Sequence, residues 1–231
     1  AMRQQQARRS GPLGLAMRHA RTFGDALRYV SEHSHAHSHA ARVWLKARDE
    51  DGLLFSGHDL LIDGVSVRSQ LMELLLLTGH LGAMAMTGGR ARARAVHLRH
   101  LPLSPPHLYR RHFGCPVHFN QVADGLLFAP EDLSAPIIDR DDRVWDDMRH
   151  HIARHFHKTS APVEAEVRAV IIRLLPGGAC DNHRVADELH LHSRTLHRRL
   201  AMEGTHFQAI KKNCHINFCY GICKRSERYS K

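Results

Sequence analysis

The chain has 231 residues, of which 43% are hydrophobic and 24% are charged, enough apolar side chains for the cores of one or two ordinary domains. Its 33 lysines and arginines exceed its 23 acidic residues, which gives a net charge of +10, and there are 22 further histidines. This charge favours polyanionic partners such as nucleic acid. No stretch reaches the ~20 apolar residues of a membrane-spanning helix.

The N-terminus and the cysteines indicate the compartment. The basic N-terminal segment lacks the apolar stretch of about 7 to 15 residues that a secretory signal requires. The five cysteines are odd in number and irregularly spaced, which is more typical of a reducing compartment than of a disulfide framework. We therefore predict a cytoplasmic protein with no membrane association.

Hydrophobic periodicity predicts both helices and strands in the first part of the chain. An amphipathic helix runs from Thr22 to about Ser34. Alternating apolar residues on both sides of Asp51-Gly52 predict a β-hairpin. The segment from Val67 to Ala85 is apolar on nearly all sides and predicts a buried helix that ends at Gly88-Gly89.

Shorter elements follow along the chain. They are a strand from Ala95 to Leu101, a short helix from Tyr109 to Phe113, two strands over Val117 to Phe119 and Leu126 to Phe128, and a helix from Asp141 to His157. The first region is therefore predicted to be α+β, with short antiparallel strands and helices. Polar residues and Pro162 after the last helix are typical of a domain boundary.

The second region has helical periodicity only. Three helices are predicted, from Val163 to Leu175, from Asn182 to Leu189 and from Ser193 to about Glu203. Three helices in so short a stretch predict an all-α helix-turn-helix domain. Asp181 is expected to cap the middle helix, because its carboxylate can accept hydrogen bonds from the amides that follow it.

The last of these helices has an apolar side and a basic side. Leu196 and Leu200 would pack inward, and a rotation of about 100° per residue then places Arg194 and Arg198 on the opposite side. Arginine can donate two hydrogen bonds to guanine, a contact worth ~1 to 3 kcal/mol of discrimination. The alternative is a small helical bundle whose arginines are merely solvated. The predicted DNA-binding residues are Ser193, Arg194, Thr195, His197, Arg198 and, for the phosphate backbone, Arg199.

Four stretches of sequence carry a family resemblance. LLPGG from Leu174 and VADELHLHSRTLHRRLAMEGTHFQAI from Val185 resemble the first helix-turn-helix of the AraC/XylS family of bacterial transcription regulators. YRRHFGCPVHF from Tyr109 and DGLLFAPEDL from Asp124 are similar to the end of the arabinose-binding type of sensor domain in that family. The resemblance covers roughly residues 11 to 212.

The chain departs from the family at three places. Family members usually have glycine at the position of His190, where the turn is left-handed, and Ser-Pro where this chain has His192-Ser193. These changes predict a strained turn and a less firmly capped helix. After Asn213 the pattern of a second helix-turn-helix is missing, and compared with the family the N-terminus begins partway into the sensor domain, so we expect a chain truncated at both ends.

The resemblance implies a function and a division of the chain. It implies a sequence-specific DNA-binding regulator whose partners are double-stranded promoter DNA, a small-molecule effector and a second copy of the chain. A sensor or dimerisation fragment without productive DNA binding is the alternative. The expected parts are a partial effector-sensing and dimerisation domain (1–160), a helix-turn-helix unit (161–213) and an irregular tail (214–231).

The sequence patterns give little support to metal binding or catalysis. His33, His35, His37 and His39 would share one side of an extended chain and could bind a transition metal, but a histidine-rich composition also produces such clusters. The tail, with Cys214 and two later cysteines, lacks the spacing of a zinc finger. No hydrolase, nucleotide-binding or metalloprotease motif is present. We therefore predict no enzyme activity, no cofactor and no metal.

Overall fold

A computed structural model of the protein describes residues 11–38, 40–61, 67–156, 162–175 and 180–214. The chain divides into two compact units, unit 1 over Ala1–Thr159 and unit 2 over Ser160–Lys231. The described part of unit 1 combines helices with a five-stranded sheet, whereas that of unit 2 is helical. The predicted α+β class with a C-terminal all-α region is confirmed.

Unit 1 alternates helices and strands along the chain. Its helices are α1 (Gly11–His19), α2 (Phe23–His33), α3 (Arg68–Thr87), α4 (Pro106–Phe113), α5 (Pro130–Ser134) and α6 (Asp142–His155). Its strands are β1 (Ala41–Ala47), β2 (Leu54–Leu60), β3 (Ala95–His97), β4 (Val117–His118) and β5 (Gly125–Phe128).

The sheet has the strand order β1-β2-β5-β3-β4. The predicted hairpin is confirmed: β1 pairs antiparallel with β2, and Gly52 in the turn has a φ of +68°, which glycine adopts without a Cβ penalty. Strand β5 lies between β2 and β3 and is antiparallel to both. The expectation of antiparallel strands is wrong for β4, which runs parallel to β3 with Val96 opposite Val117, because α4 provides the crossover between them.

Helix α3 is buried along one side only. Leu76 and Ala83 are fully buried, whereas Leu74 and Leu81 are 60% and 49% exposed. The prediction of a buried helix therefore holds for one side only, because an apolar sequence does not by itself provide packing partners for every side of a helix. Although α3 has 20 residues, neither it nor any other described helix is long and apolar enough to cross a membrane.

Two helices of unit 1 have no counterpart in the sequence prediction. Helix α1 buries Leu13 and Ala16 in a cluster with Ile152 of α6. The short helix α5 is fixed by Asp132, a fully buried carboxylate that accepts hydrogen bonds from the Ala129 amide and from the Arg94 guanidinium. Both helices depend on contacts with residues far away in the sequence, which local periodicity does not reveal.

The histidine-rich segment is not extended. His33 ends α2, and Ser34–Ala36 form a 3₁₀ turn, so alternate residues do not share one side. The metal-binding alternative therefore loses its geometric basis for the first members of the run, and His39 lies outside the described residues. No group of three or more metal-ligand side chains occurs within the described part of the chain.

Unit 2 contains α7 (Val163–Leu174), α8 (Asn182–Glu188), α9 (Ser193–Met202) and helical residues 207–214. These helices enclose a core of their own, which includes Val167, Val185, Leu196 and Leu200. The predicted irregular tail does not begin at residue 214, since Cys214 is still helical and is buried in the same core. The rest of the predicted irregular tail, residues 215–231, lies outside the described residues.

Candidate nucleic-acid interface

The turn between α8 and α9 depends on a left-handed residue. His190 has a φ of +53°, a conformation that costs a non-glycine residue free energy. The His190 amide donates to the Asp187 carbonyl at 2.9 Å, and the Leu191 amide donates to the Ala186 carbonyl at 2.9 Å. These bonds close the end of α8 and redirect the chain into α9.

Helix α9 begins at Ser193, as the sequence predicts, and two side chains occupy its start. His192 adopts an extended conformation, and its Nδ1 accepts a hydrogen bond from the Arg194 amide at 3.3 Å. The Ser193 hydroxyl lies 3.1 Å from Nδ1 of His183 on α8. His192 therefore provides the N-terminal cap that the missing Ser-Pro pair would otherwise supply.

The two sides of α9 differ sharply in burial. Leu196 and Leu200 have no exposed surface. The other predicted site residues lie on the same helix: Ser193 and Thr195 are half-buried, and Arg194, His197, Arg198 and Arg199 are exposed. All six residues therefore lie on α9 outside its two buried leucines, which point inward as expected.

The arginines of α9 differ from those of α7 in their partners. On α7, Arg168 pairs with Glu164, and Arg173 pairs with Glu188 of α8. Among the described residues, no carboxylate forms an ion pair with Arg194, Arg198 or Arg199. The exposed side of α9 therefore carries positive charge that is not neutralised by ion pairs with the described residues of unit 2.

Carboxylates fix the helices that support α9. The Glu203 carboxylate, next to the end of α9, accepts hydrogen bonds from the amides of Val163 and Glu164 at 2.7 and 2.8 Å, and so caps α7. Asp181 caps α8 as predicted, accepting from the Arg184 amide at 2.9 Å. This hydrogen bond lowers the pKa of the Asp181 carboxyl. The role of Glu203 was missed, because the cap joins residues 40 positions apart.

Comparison with known proteins places the chain in a family. Residues 1–137 match the model of the N-terminal arabinose-binding domain of AraC transcription regulators. The chain belongs to the AraC family of transcription regulators. The predicted family and its effector-binding type of domain are confirmed.

Relatives of this AraC-family chain are also named as regulators. It is 27% identical over 194 residues to the HTH-type transcriptional regulator VirS in two strains of Mycobacterium tuberculosis. The match covers 84% of this chain and 57% of VirS, so the chain spans little more than half the length of these relatives. The crystal structure of the transcriptional regulator CdpR from Pseudomonas aeruginosa has a similar fold, with a TM-score of 0.50 and 20% identity, over 92% of this chain and 69% of CdpR.

Proposed function

We propose that this AraC-family chain is a sequence-specific DNA-binding transcription regulator. In this proposal residues 161–213 read double-stranded promoter DNA, and residues 1–160 sense a small effector and mediate homodimer formation in the cytoplasm. The observation that carries the proposal is the exposed basic side of α9, which is opposite two fully buried leucines. Catalysis has no part in it.

The side chains of α9 have different roles in the proposal. Arg194 and Arg198 reach base edges in the major groove, where a guanidinium can donate two hydrogen bonds to guanine. Thr195 and His197 flank them and contact adjacent bases or phosphates, and Ser193 at the helix start lies near a phosphate. Arg199 contacts the phosphate backbone, which contributes affinity but no sequence information.

Enrichment from a random pool of DNA duplexes tests the proposal even though the operator sequence is unknown. The purified chain should select a common sequence, and anisotropy titration at physiological salt should show tighter binding to that sequence than to a scrambled duplex. A single module of this kind binds non-specific DNA with a Kd of only ~10⁻⁴ to 10⁻⁶ M. If no sequence is enriched, the alternative of a sensor or dimerisation fragment is favoured.

Two arginine variants test the assigned roles. Arg198→Ala should reduce the preference for the selected sequence, a loss of about 1 to 3 kcal/mol in discrimination. Arg199→Ala should weaken binding to selected and scrambled duplexes equally and reduce the salt slope by about 1. Arg111→Ala, an exposed arginine of α4 in unit 1, is the control with the same change in net charge. Equal effects of the two α9 variants on both duplexes would contradict the assignment.

A further inference from the structure

Unit 1 contains a cleft of about 320 Å³ between α3 and α4. This volume is near the lower limit for small-molecule sites and equals that of roughly ten water molecules. Most of its wall is apolar, and one carboxylate, that of Glu73, is part of it. The lining side chains are Gln70, Glu73, Leu74, Leu77, Ser104, Leu108, Tyr109, His112 and Phe113.

Glu73 is held in position by Tyr109. The Tyr109 hydroxyl donates to Oε1 of Glu73 at 2.7 Å and accepts hydrogen bonds from the amides of Leu103 and Ser104 at 2.9 and 3.3 Å. Burial, followed by this bond to Glu73, raises the pKa of Tyr109, so the hydroxyl stays protonated and remains a donor. The carboxylate therefore has a fixed orientation, which reduces the entropy lost when a ligand binds.

The second oxygen of Glu73 is available to a ligand. The side chain is only 21% exposed, and within the described ranges no hydrogen bond reaches its Oε2. Nε2 of His100 lies 3.5 Å away, but on the side of Oε1. A carboxylate oxygen that lies in a mostly apolar wall without a hydrogen-bond partner from the protein is stabilised by a cation.

The lining provides no such cation of its own. Among the described residues that line the cleft there is no lysine or arginine, and His112 is the one basic side chain. The exposed part of the lining is mixed, with Leu74 60% exposed beside the exposed polar side chains of Gln70, Ser104 and His112. If Glu73 served only to attach the 101–105 loop to α3, one carboxylate oxygen would be sufficient, and neither the remaining oxygen nor the cleft would have a role.

We propose that this cleft is the effector site of unit 1 and that its ligand is a small organic cation. An ammonium or amidinium group donates to Oε2 of Glu73, and the apolar body of the ligand packs against Leu74, Leu77 and Phe113. The inference rests on the proposed effector-sensing function. It names the site and the chemical class that the site selects.

Three probes with one phenyl body and different charges test this selectivity. Calorimetric titration of the full chain with 2-phenylethylamine, 2-phenylethanol and phenylacetate should give the order amine, alcohol, acid. Such a small probe should bind with a Kd of ~1 mM, and the amine should be preferred at least about tenfold over the alcohol. Equal affinities, a preference for the acid, or no saturable binding of the amine would overturn the proposal.

Variants assign the preference to Glu73. Glu73→Gln keeps the size of the side chain and an acceptor for Tyr109, and it should reduce amine binding to the level of the alcohol. Glu131→Gln, which changes a 69% exposed carboxylate outside the cleft, is the matched control and should leave amine binding unchanged. If Glu73→Gln binds the amine as the unchanged chain does, the proposal is wrong. If this variant does not fold, Tyr109→Phe, which releases the carboxylate, should weaken the amine more than the alcohol.

Failure of this proposal can be told apart from failure of the DNA-binding proposal. The titration detects binding in unit 1 and contains no DNA, whereas the duplex selection depends on α9. Probe binding without sequence enrichment would support the cleft and contradict the DNA-binding role. The reverse result would leave the regulator without this effector site.

Discussion

Among the described residues of unit 2, His190 departs most clearly from the backbone geometry that ordinary residues favour. Its φ of +53° lies in the left-handed region, which costs an ordinary residue about 1 to 2 kcal/mol relative to a right-handed conformation. Glycine would avoid the steric part of this cost, although it loses more entropy on folding. The sequence already indicated the position, because the related regulators usually have glycine there.

Replacing His190 with glycine should therefore stabilise the helix-turn-helix. We expect His190→Gly to raise the free energy of local opening by about 0.5 to 1 kcal/mol. Amide hydrogen exchange at α8 and α9 is the measurement, because it reports on this unit separately. Ala201→Gly, at an exposed position within α9, is the control of opposite sign and should lose about 1 kcal/mol. Faster exchange in His190→Gly would show that the turn is not strained.

The sequence could predict the roles of side chains that act on residues close to them along the chain. Asp181 was predicted as a cap because its partner is the amide three residues later. Glu203 caps α7 and Asp132 binds Arg94 across 40 and 38 residues respectively, so no local pattern pointed to either role. The Glu73–Tyr109 pair in the cleft was missed for the same reason.

Helix α3 shows how much of an element's packing hydrophobic periodicity can predict. Its length and its end at Gly88 were predicted well, because glycine in a left-handed conformation terminates helices. The sequence could not show which side of α3 would face the sheet, since both sides are apolar. Similarly, hydrophobic alternation predicted β4 and β5 as strands, but the parallel pairing of β4 depends on how α4 crosses the sheet.

Two leucines of α3, one on each side, allow its buried and exposed sides to be compared. Leu76→Ala removes a fully buried side chain and should reduce the free energy of unfolding by about 2 to 5 kcal/mol. Leu81→Ala, at a position 49% exposed, should change it by less than about 0.5 kcal/mol. Urea unfolding followed by tryptophan fluorescence measures both, because Trp44 and Trp145 lie in unit 1. A large loss in Leu81→Ala would mean that another molecule covers this side in solution.

Two histidines of unit 1 make the free energy of unfolding of this chain depend on pH. Burial lowers the pKa of His58 in β2 from 6.5 to about 4. Burial also lowers the pKa of His80 in α3, whose Nδ1 accepts a hydrogen bond from the Ala93 amide at 3.2 Å. Both rings are therefore neutral in the folded chain under conditions in which the unfolded chain already binds protons.

The sign of the effect follows from these lowered pKa values. The stability due to neutral His58 is fully present above the unfolded pKa of about 6.5, and it is lost as the pH falls from there towards about 4. Urea midpoints of unit 1 should therefore decrease from pH 7 to pH 5, and His58→Gln should reduce that decrease. His107→Gln, at an exposed site on α4, is the control. A midpoint that does not depend on pH, or one that rises on acidification, would contradict the lowered pKa values of these two histidines.

The two units have separate apolar cores, which affects how such a chain can evolve. Within the described residues, the apolar clusters of unit 1 end at Phe156, and that of unit 2 begins at Val163, so no side chain belongs to both. A substitution in the cleft beside α3 therefore alters a different apolar cluster from the one beneath α9. With the roles proposed above for the two units, descendants of such a chain could change the effector they bind while keeping their DNA sequence preference, or change that preference while keeping the effector.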